Sequence, residues 1–283
     1  MGVAYRMLGS RAEAEDAVQE AYLRYASVDQ SKIDDLRAWL TTVTGRICLD
    51  VLRSARVRRE AYVGPWLPEP YVDRLPAPDD PAERAIQTDR VSVALLLVLE
   101  ALTPEQRVAF VLHDVFAIPF DEVAGLLDTT VENARQLASR ARRAVQAGER
   151  RHTTDLTLQR KVQDAFLAAA AGGDIDALIK LLAPDVVAIG DGGGIGSAAR
   201  RPITGRLQVA RFILGLFRLA EKEGAVLEPV LVNGDLGLQF EADSELAEIG
   251  VSTLSINEDG LITGIYNQVN PEKLTRIERL KRR

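Results

Sequence analysis

The chain has 283 residues, is 47% hydrophobic and carries a formal net charge of −6, so it is long enough to bury more than one core. No apolar run approaches a membrane span, the N-terminus has no basic-apolar-small export signal, and the single cysteine, Cys48, excludes an internal disulfide framework and a Cys-rich zinc site. A cytoplasmic protein with no membrane segment, metal or cofactor is expected.

The first segment reads as helical. Ser10-x-x-Glu13 is a capping box, followed by Ala14, Ala17, Val18, Ala21, Tyr22 and Tyr25 at helical spacing. Its outer side gathers Glu13, Glu15, Asp16 and Glu20. After a polar break at 27–35, a long helix begins near Asp35, with Leu36, Trp39, Leu40, Val43 and Ile47 on one face and Arg53, Arg56, Arg58 and Arg59 at its end. Cys48 reads as a small core residue of this helix.

Residues 60–83 contain six prolines and an acidic excess, which predicts an extended linker. Helices resume near Ala82, and Thr103-Pro104-Glu105-Gln106 is an N-cap with proline at the first helical position. Residues 119–143 then read as a helix-turn-helix. Phe120, Val123, Ala124 and Leu127 mark the buried face of a short helix, and Thr129-x-x-Glu132 reads as the capping box of the next. In that second helix Val131, Ala134, Ala138, Ala141 and Val145 form an apolar stripe. Arg135, Gln136, Ser139, Arg140 and Arg143 form a polar face suited to the major groove, where Arg bridges a guanine edge and Gln an adenine edge. Thr130, Asn133 and Arg142 complete the candidate contacts. A basic, solvated bundle helix is the alternative.

From about residue 153 the pattern changes to α+β. Helices at 155–171 and 174–182 precede a strand at Val186–Ile189, then Asp191-Gly192-Gly193-Gly194 and a helix over 206–223. Paired strand runs flank Asn233-Gly234 and Asp259-Gly260, dipeptides that favour tight hairpins.

The net charge argues against a polyanionic partner until it is partitioned. Residues 36–59 hold six Arg against one Asp, and 131–151 hold six Arg against two Glu. Residues 153–275 hold ten basic side chains against seventeen acidic, so this part is expected to face away from DNA.

In this order and spacing, AEAEDAVQEAYLR (12–24), LRAWLTTVTGRICLDVLRSARVRRE (36–60) and LTPEQRVAFVLHDVFAIPFDEVAGLLDTTVENARQLASRARRAV (102–145) resemble the two regions of extracytoplasmic-function sigma factors. WLPEP (66–70), DGGG (191–194) and NPEKL (270–274) look like the SigJ-type subgroup, which carries a fused C-terminal SnoaL-like domain. The resemblance implies two all-α domains, the second a helix-turn-helix, followed by an α+β cone-shaped domain. The corresponding divisions are 1–60, a linker at 61–83, 84–152, 153–275 and a basic tail at 276–283.

It also implies roles. Glu15, Asp16, Gln19, Glu20 and Arg24 would dock on core RNA polymerase. Arg53, Arg56, Arg58 and Arg59 would hold the −10 promoter element, and the helix-turn-helix would read the −35 element. A regulatory contact would join Trp66, Leu67, Pro68, Glu69 and Pro70 to Asp191, Gly192, Gly193 and Gly194 and to Asn270, Pro271, Glu272, Lys273 and Leu274. Trp66 and Leu67 are expected to insert into an apolar groove. Two other readings remain: a DNA-binding activator with a ligand-sensing domain, and a SnoaL-type enzyme with a helical fusion. For the enzyme, His113 and His152 both precede the domain, leaving Asp191 as a lone carboxylate base. A ligand for the C-terminal pocket is not specified.

Overall fold

The computed structural model describes residues 1–60, 62–75, 91–149, 152–242 and 249–280, with side chains left aside at 55–60 and 149. The expected helix start near Ala82 lies outside the described residues. The chain divides into two units, Met1–Ala61 with Leu95–Gly148, and Tyr62–Ala94 with Glu149–Arg283. No helix among the described residues is long and apolar enough to cross a membrane.

The first unit is all-helical. Helix α1 (Gly2–Leu8) packs on α2 (Arg11–Ser27), whose N-cap Ser10 accepts from the Glu13 amide, and both pack on α3 (Leu36–Glu60). Ala14, Ala17 and Ala21 are buried, but Tyr22 is 65% exposed and Leu23 56%. Tyr22 therefore leaves the apolar stripe expected for it. At 100° per residue it lies a full step beyond Ala21, and the alanine ridge alone fills the helix contact. Trp39 takes a T-shaped packing against Tyr25, with ring centroids 5.9 Å apart.

Cys48 is wholly buried, and desolvation pushes its thiol up to about 12. Iodoacetamide at neutral pH should leave it unmodified in the native chain and label it only after denaturation, read by intact mass.

Helix α4 (Val93–Glu100) leads to α5 (Pro104–Phe110), whose complete capping box joins Thr103 and Gln106. A π-turn over Val111–Val115 follows. The unit ends with α6 (Phe120–Leu126) and α7 (Val131–Glu149). Arg107 of α5, 3% exposed, donates to the Met7 carbonyl at 2.6 Å and pairs with Glu100 at 3.0 Å. It thereby satisfies an orphan carbonyl at the C-terminal end of α1. Burial lowers this guanidinium to about 10, so it stays charged at neutral pH.

The second unit is α+β. Its helices are α8 (Leu156–Ala171), α9 (Ile175–Leu181) and α10 (Arg206–Lys222). Its strands are β1 (Val72–Arg74), β2 (Leu182–Asp191), β3 (Ile203–Thr204), β4 (Val226–Val232), β5 (Asp235–Glu241), β6 (Ile249–Ile256) and β7 (Ile262–Gln268). They form one sheet in the order β1-β4-β5-β6-β7-β2-β3, with β2 and β7 parallel and all other pairs antiparallel. Side chains alternate between faces. Ala188, Ile265 and Leu254 stand in register on the face covered by Val162, Phe166, Leu178, Val209 and Ile213 of the helices. Asp191, Gln268, Val251 and Gln239 stand in register on the other face.

The segment expected to be a free linker is partly built into this unit. Leu67, Pro68, Glu69 and Pro70 are buried, and residues 72–74 form β1 on the edge of β4. Asn233 is held with φ 57 in the β4–β5 turn. Its side chain accepts from the Tyr71 amide at 3.0 Å and donates to the Val91 carbonyl at 2.9 Å, so one turn residue fastens both sides of the segment. Pro65, Pro68 and Pro70 remove three amide donors from this stretch without preventing Val72–Arg74 from pairing at an edge.

The described part of the basic tail is tied to β5. Gln239 donates to the Glu278 carbonyl at 2.8 Å, and Glu241 accepts from the Leu280 amide at 2.7 Å. Residues 281–283 lie outside the described residues.

Candidate functional site

The regulatory contact expected from the sequence converges on one carboxylate. Asp191 ends β2, has no solvent exposure, and accepts from five groups. These are the Tyr62 hydroxyl at 2.6 Å, the Leu67 amide at 2.8 Å, the Gly193 amide at 3.0 Å, Lys273 Nζ at 2.7 Å and Gln268 Nε2 at 3.3 Å. An isolated buried charge is costly, and this one is paired and fully hydrogen-bonded. Burial, and then the bond to Asp191, hold the Tyr62 phenol well above its usual range.

Lys273 binds the linker three ways. It donates to the Leu67 carbonyl at 2.7 Å, and its Nζ lies 4.3 Å from the Trp66 ring centroid and 5.0 Å from that of Tyr62. Gln268 reaches the Leu67 and Pro68 carbonyls at 3.4 and 3.3 Å. WLPEP therefore meets DGGG and NPEKL, but not by apolar insertion alone. Leu67 is 2% exposed, while its backbone is gripped by charged and polar side chains. Proline and a hydrophobe carry no side-chain polarity, so a sequence reading assigns them to a groove and misses the amide and carbonyl between them.

Glycine in the DGGG turn has a geometric reason at Gly193. Its φ is 61°, and a Cβ there would run into the Asn270 side chain. Asn270 in turn donates to the Tyr62 hydroxyl at 2.9 Å and accepts from the Glu272 amide, which begins the 3-10 turn Pro271–Lys273. Leu274 is buried behind it. Asp191 is thus not the lone base considered from sequence, because its acceptor positions are filled.

His152 also differs from expectation, since it belongs to the C-terminal unit. Its Nε2 lies 3.1 Å from Asp235 and its Nδ1 3.3 Å from Ser255 Oγ. Gln159 donates to Asp235 at 2.9 Å and accepts from the Leu236 amide at 2.8 Å. These side chains occupy the point where β5 and β6 part beyond the Gly237–Thr253 register pair. The network satisfies backbone groups that the sheet no longer pairs.

In the helix-turn-helix, α6 and α7 are joined at Asp128 with φ 51. The cap of α7 is one residue later than expected. Thr130 Oγ1 accepts from the Asn133 amide at 3.2 Å, and the Asn133 side chain donates to Thr129 Oγ1 at 2.8 Å. Two adjacent threonines offer equivalent hydroxyls, and the local pattern does not choose between them. Thr130 and Asn133, expected to contact DNA, are exposed but engaged in capping.

Arg135, Gln136, Arg140 and Arg143 are exposed and Ser139 half-buried, on the face opposite buried Ala134, Ala138, Ala141 and Val145. Arg135 lies near Glu132 at 3.9 Å and over the Phe120 ring at 5.7 Å. Arg142 is turned aside into a salt bridge with Asp114 at 2.6 Å.

Of the α3 arginines, Arg53 pairs with Glu105 at 3.3 Å. The side chains of Arg56, Arg58 and Arg59 lie outside the described residues. On α2, Glu15, Asp16, Gln19 and Arg24 are exposed and Glu20 is half-buried, paired with Arg24 at 2.9 Å. Tyr22 and Leu23, missed from sequence as surface residues, follow them on the helix. An exposed aromatic and leucine side by side next to a charged patch make this face a candidate contact surface.

The Sigma-70 region 2 family matches residues 1–58, and the Sigma-70, region 4 family matches residues 92–145. The chain is 45% identical to the ECF RNA polymerase sigma factor SigJ of Mycobacterium tuberculosis (strain ATCC 25618 / H37Rv), over 97% of this chain and 89% of that protein. It is 36% identical to the probable ECF RNA polymerase sigma factor SigI of Mycobacterium tuberculosis (strain CDC 1551 / Oshkosh), over 96% of this chain and 90% of that protein. The crystal structure of the Mycobacterium tuberculosis SigJ matches with a TM-score of 0.75 at 41% identity, covering 97% of this chain and 94% of that one. With both helical regions and the C-terminal α+β domain matched in one alignment, this chain belongs to the extracytoplasmic-function RNA polymerase sigma factors.

Proposed function

We propose that the chain binds core RNA polymerase through α2, reads a −35 element with α7 and a −10 element beside the end of α3, and is regulated by its own C-terminal unit. The single observation that supports the regulation is that the segment between the two sigma regions is held by Asp191 and Lys273. A segment restrained in this way couples the C-terminal fold to the freedom of both DNA-reading regions, in place of a separate inhibitor. Arg140, Arg143, Gln136 and Arg135 are the leading −35 contacts, since they are exposed on one face; Arg142 is a positioning residue for α7 through Asp114.

In vitro transcription of a genomic-fragment library, with core polymerase and the full chain, tests this reading. Start sites should share −35 and −10 sequences. Arg140→Ala with Arg143→Ala should cut output at those starts by at least about tenfold, the worth of two base or phosphate contacts. Tyr22→Ala with Leu23→Ala should weaken core binding by about tenfold or more, as loss of a contact hot spot does. Start-site choice that does not depend on the chain would defeat the proposal.

A further inference from the structure

The C-terminal unit is acidic, yet one segment reverses the sign. Residues 200–222 carry six basic side chains against one acidic, while the rest of 153–275 carries four against sixteen. The segment centres on α10. Val209, Ala210, Ile213 and Leu214 bury one side of that helix in the core. Arg211, Gly215, Arg218 and Lys222 are exposed on the other. Spacings of seven and eleven residues place Arg211, Arg218 and Lys222 within about 40° of arc, along about 16 Å of helix axis. Arg200 and Arg201 are exposed just before β3, whereas Arg206 is committed to the Leu182 carbonyl at 2.6 Å.

A solvated face would normally mix signs, and on other helices Arg53, Arg107 and Arg142 each have a carboxylate partner, while Arg140 and Arg143 on the face assigned to DNA have none among the described residues. Among the described residues, Arg211, Arg218 and Lys222 form no salt bridge. Gly215 is an independent observation. It sits in mid-helix between Arg211 and Arg218, where glycine is unfavourable, and a Cβ there would meet nothing within 4 Å. Internal packing therefore gives no reason for its missing side chain, while close approach of a partner to the helix backbone does.

We propose that this face of α10 is a second DNA contact, in which Arg211, Arg218 and Lys222, with Arg200 and Arg201, hold the phosphate backbone of duplex flanking the site bound by α7. The inference rests on the reading of α7 as a DNA-binding helix. Arginines without an acidic partner suit phosphates, which take charge without sequence information, and the missing side chain at Gly215 leaves room for a strand to lie close against the helix. Only residues 150–155 separate α7 from α8, a reach of about 20 Å at full extension. Duplex bound by α7 is thereby at high effective concentration for α10. The expectation that the C-terminal part faces away from DNA as a whole is then limited to its acidic remainder.

The test is fluorescence anisotropy of the full chain with a labelled mixed-sequence duplex of about 40 base pairs, over about 50 to 200 mM salt. Arg211→Ala, Arg218→Ala and Lys222→Ala together should weaken binding at least about tenfold at the low-salt end and reduce the log–log salt slope by about two to three. Gly215→Leu should reproduce the loss of affinity without lowering the melting temperature, and Gly215→Ala should raise that temperature. An unchanged slope in the triple variant overturns the proposal. So does a defect confined to binding of core polymerase, which would make the stripe a protein contact. Arg140→Ala with Arg143→Ala, measured alongside, separates the two ideas: if that pair alone leaves the slope unchanged, the reading of α7 has failed, not the stripe.

Discussion

Replacing Asp191 with Asn is expected to release the linker and destabilise the C-terminal unit by about 3–5 kcal/mol, the usual cost of breaking a buried charge pair. The carboxylate is fully buried and accepts from Tyr62, Leu67, Gly193, Gln268 and Lys273. An Asn amide would turn an NH₂ donor toward other donors and leave the Lys273 ammonium, 13% exposed, without its counter-charge. Lys273→Met makes the reciprocal defect, leaving an uncompensated carboxylate. The double variant Asp191→Asn with Lys273→Met should lose less than the sum of the singles, by about 1 kcal/mol or more, because neither then strands a charge.

Hydrogen exchange at the Leu67 amide reads the linker directly. Its donor bond goes to Asp191 at 2.8 Å, so exchange should accelerate by about a hundredfold in either single variant, as expected when a globally protected amide opens locally. Promoter output should change with it. Retained protection at Leu67 in both singles, with transcription unaltered, would show that Asp191 and Lys273 do not govern the linker.

The second large effect is expected at Arg107. Arg107→Met keeps most of the side-chain volume but leaves the Met7 carbonyl unpaired and Glu100 without its cation. The loss should be about 3 kcal/mol, toward the lower end for a buried ion pair because the Glu100 side chain is 22% exposed and partly resolvated. Arg107→Lys should fall between the two, since an ammonium retains the charge but not the fork that reaches both acceptors. Urea unfolding followed by helical circular dichroism measures the difference. Because Arg107 joins α5 to the end of α1, a fluorescence-transfer pair at positions 42 and 122, whose native side chains approach to 3.4 Å, should separate in Arg107→Met before the helices melt. A variant as stable as the parent, with that distance kept, would mean that the bond is incidental.

Much of the fold was legible because its causes are local. Ser10 and Thr103 cap the helices they were expected to cap, and Asn233-Gly234 turns the β4–β5 hairpin with both residues at positive φ. Arg135, Arg140 and Arg143 of α7 lie on one exposed face because a helical period of 3.6 residues is already in the sequence. Where two local solutions were equivalent, as with Thr129 and Thr130, the register was missed by one residue.

The sequence by itself determined the order of elements, the two arginine-bearing helices and the three motifs that meet at the linker, since periodicity, capping and turn chemistry act over a few residues. Tertiary structure decided which groups share a proton or a charge. Asp191 selects partners 82 and 124 residues away, His152 leaves the helical region to join Asp235, and Val72–Arg74 becomes a strand only because β4 presents an edge. Tyr22 is exposed because alanines already fill the contact beneath it. Burial of a charge or pairing of a strand depends on what the fold brings alongside, and no window along the chain contains that information.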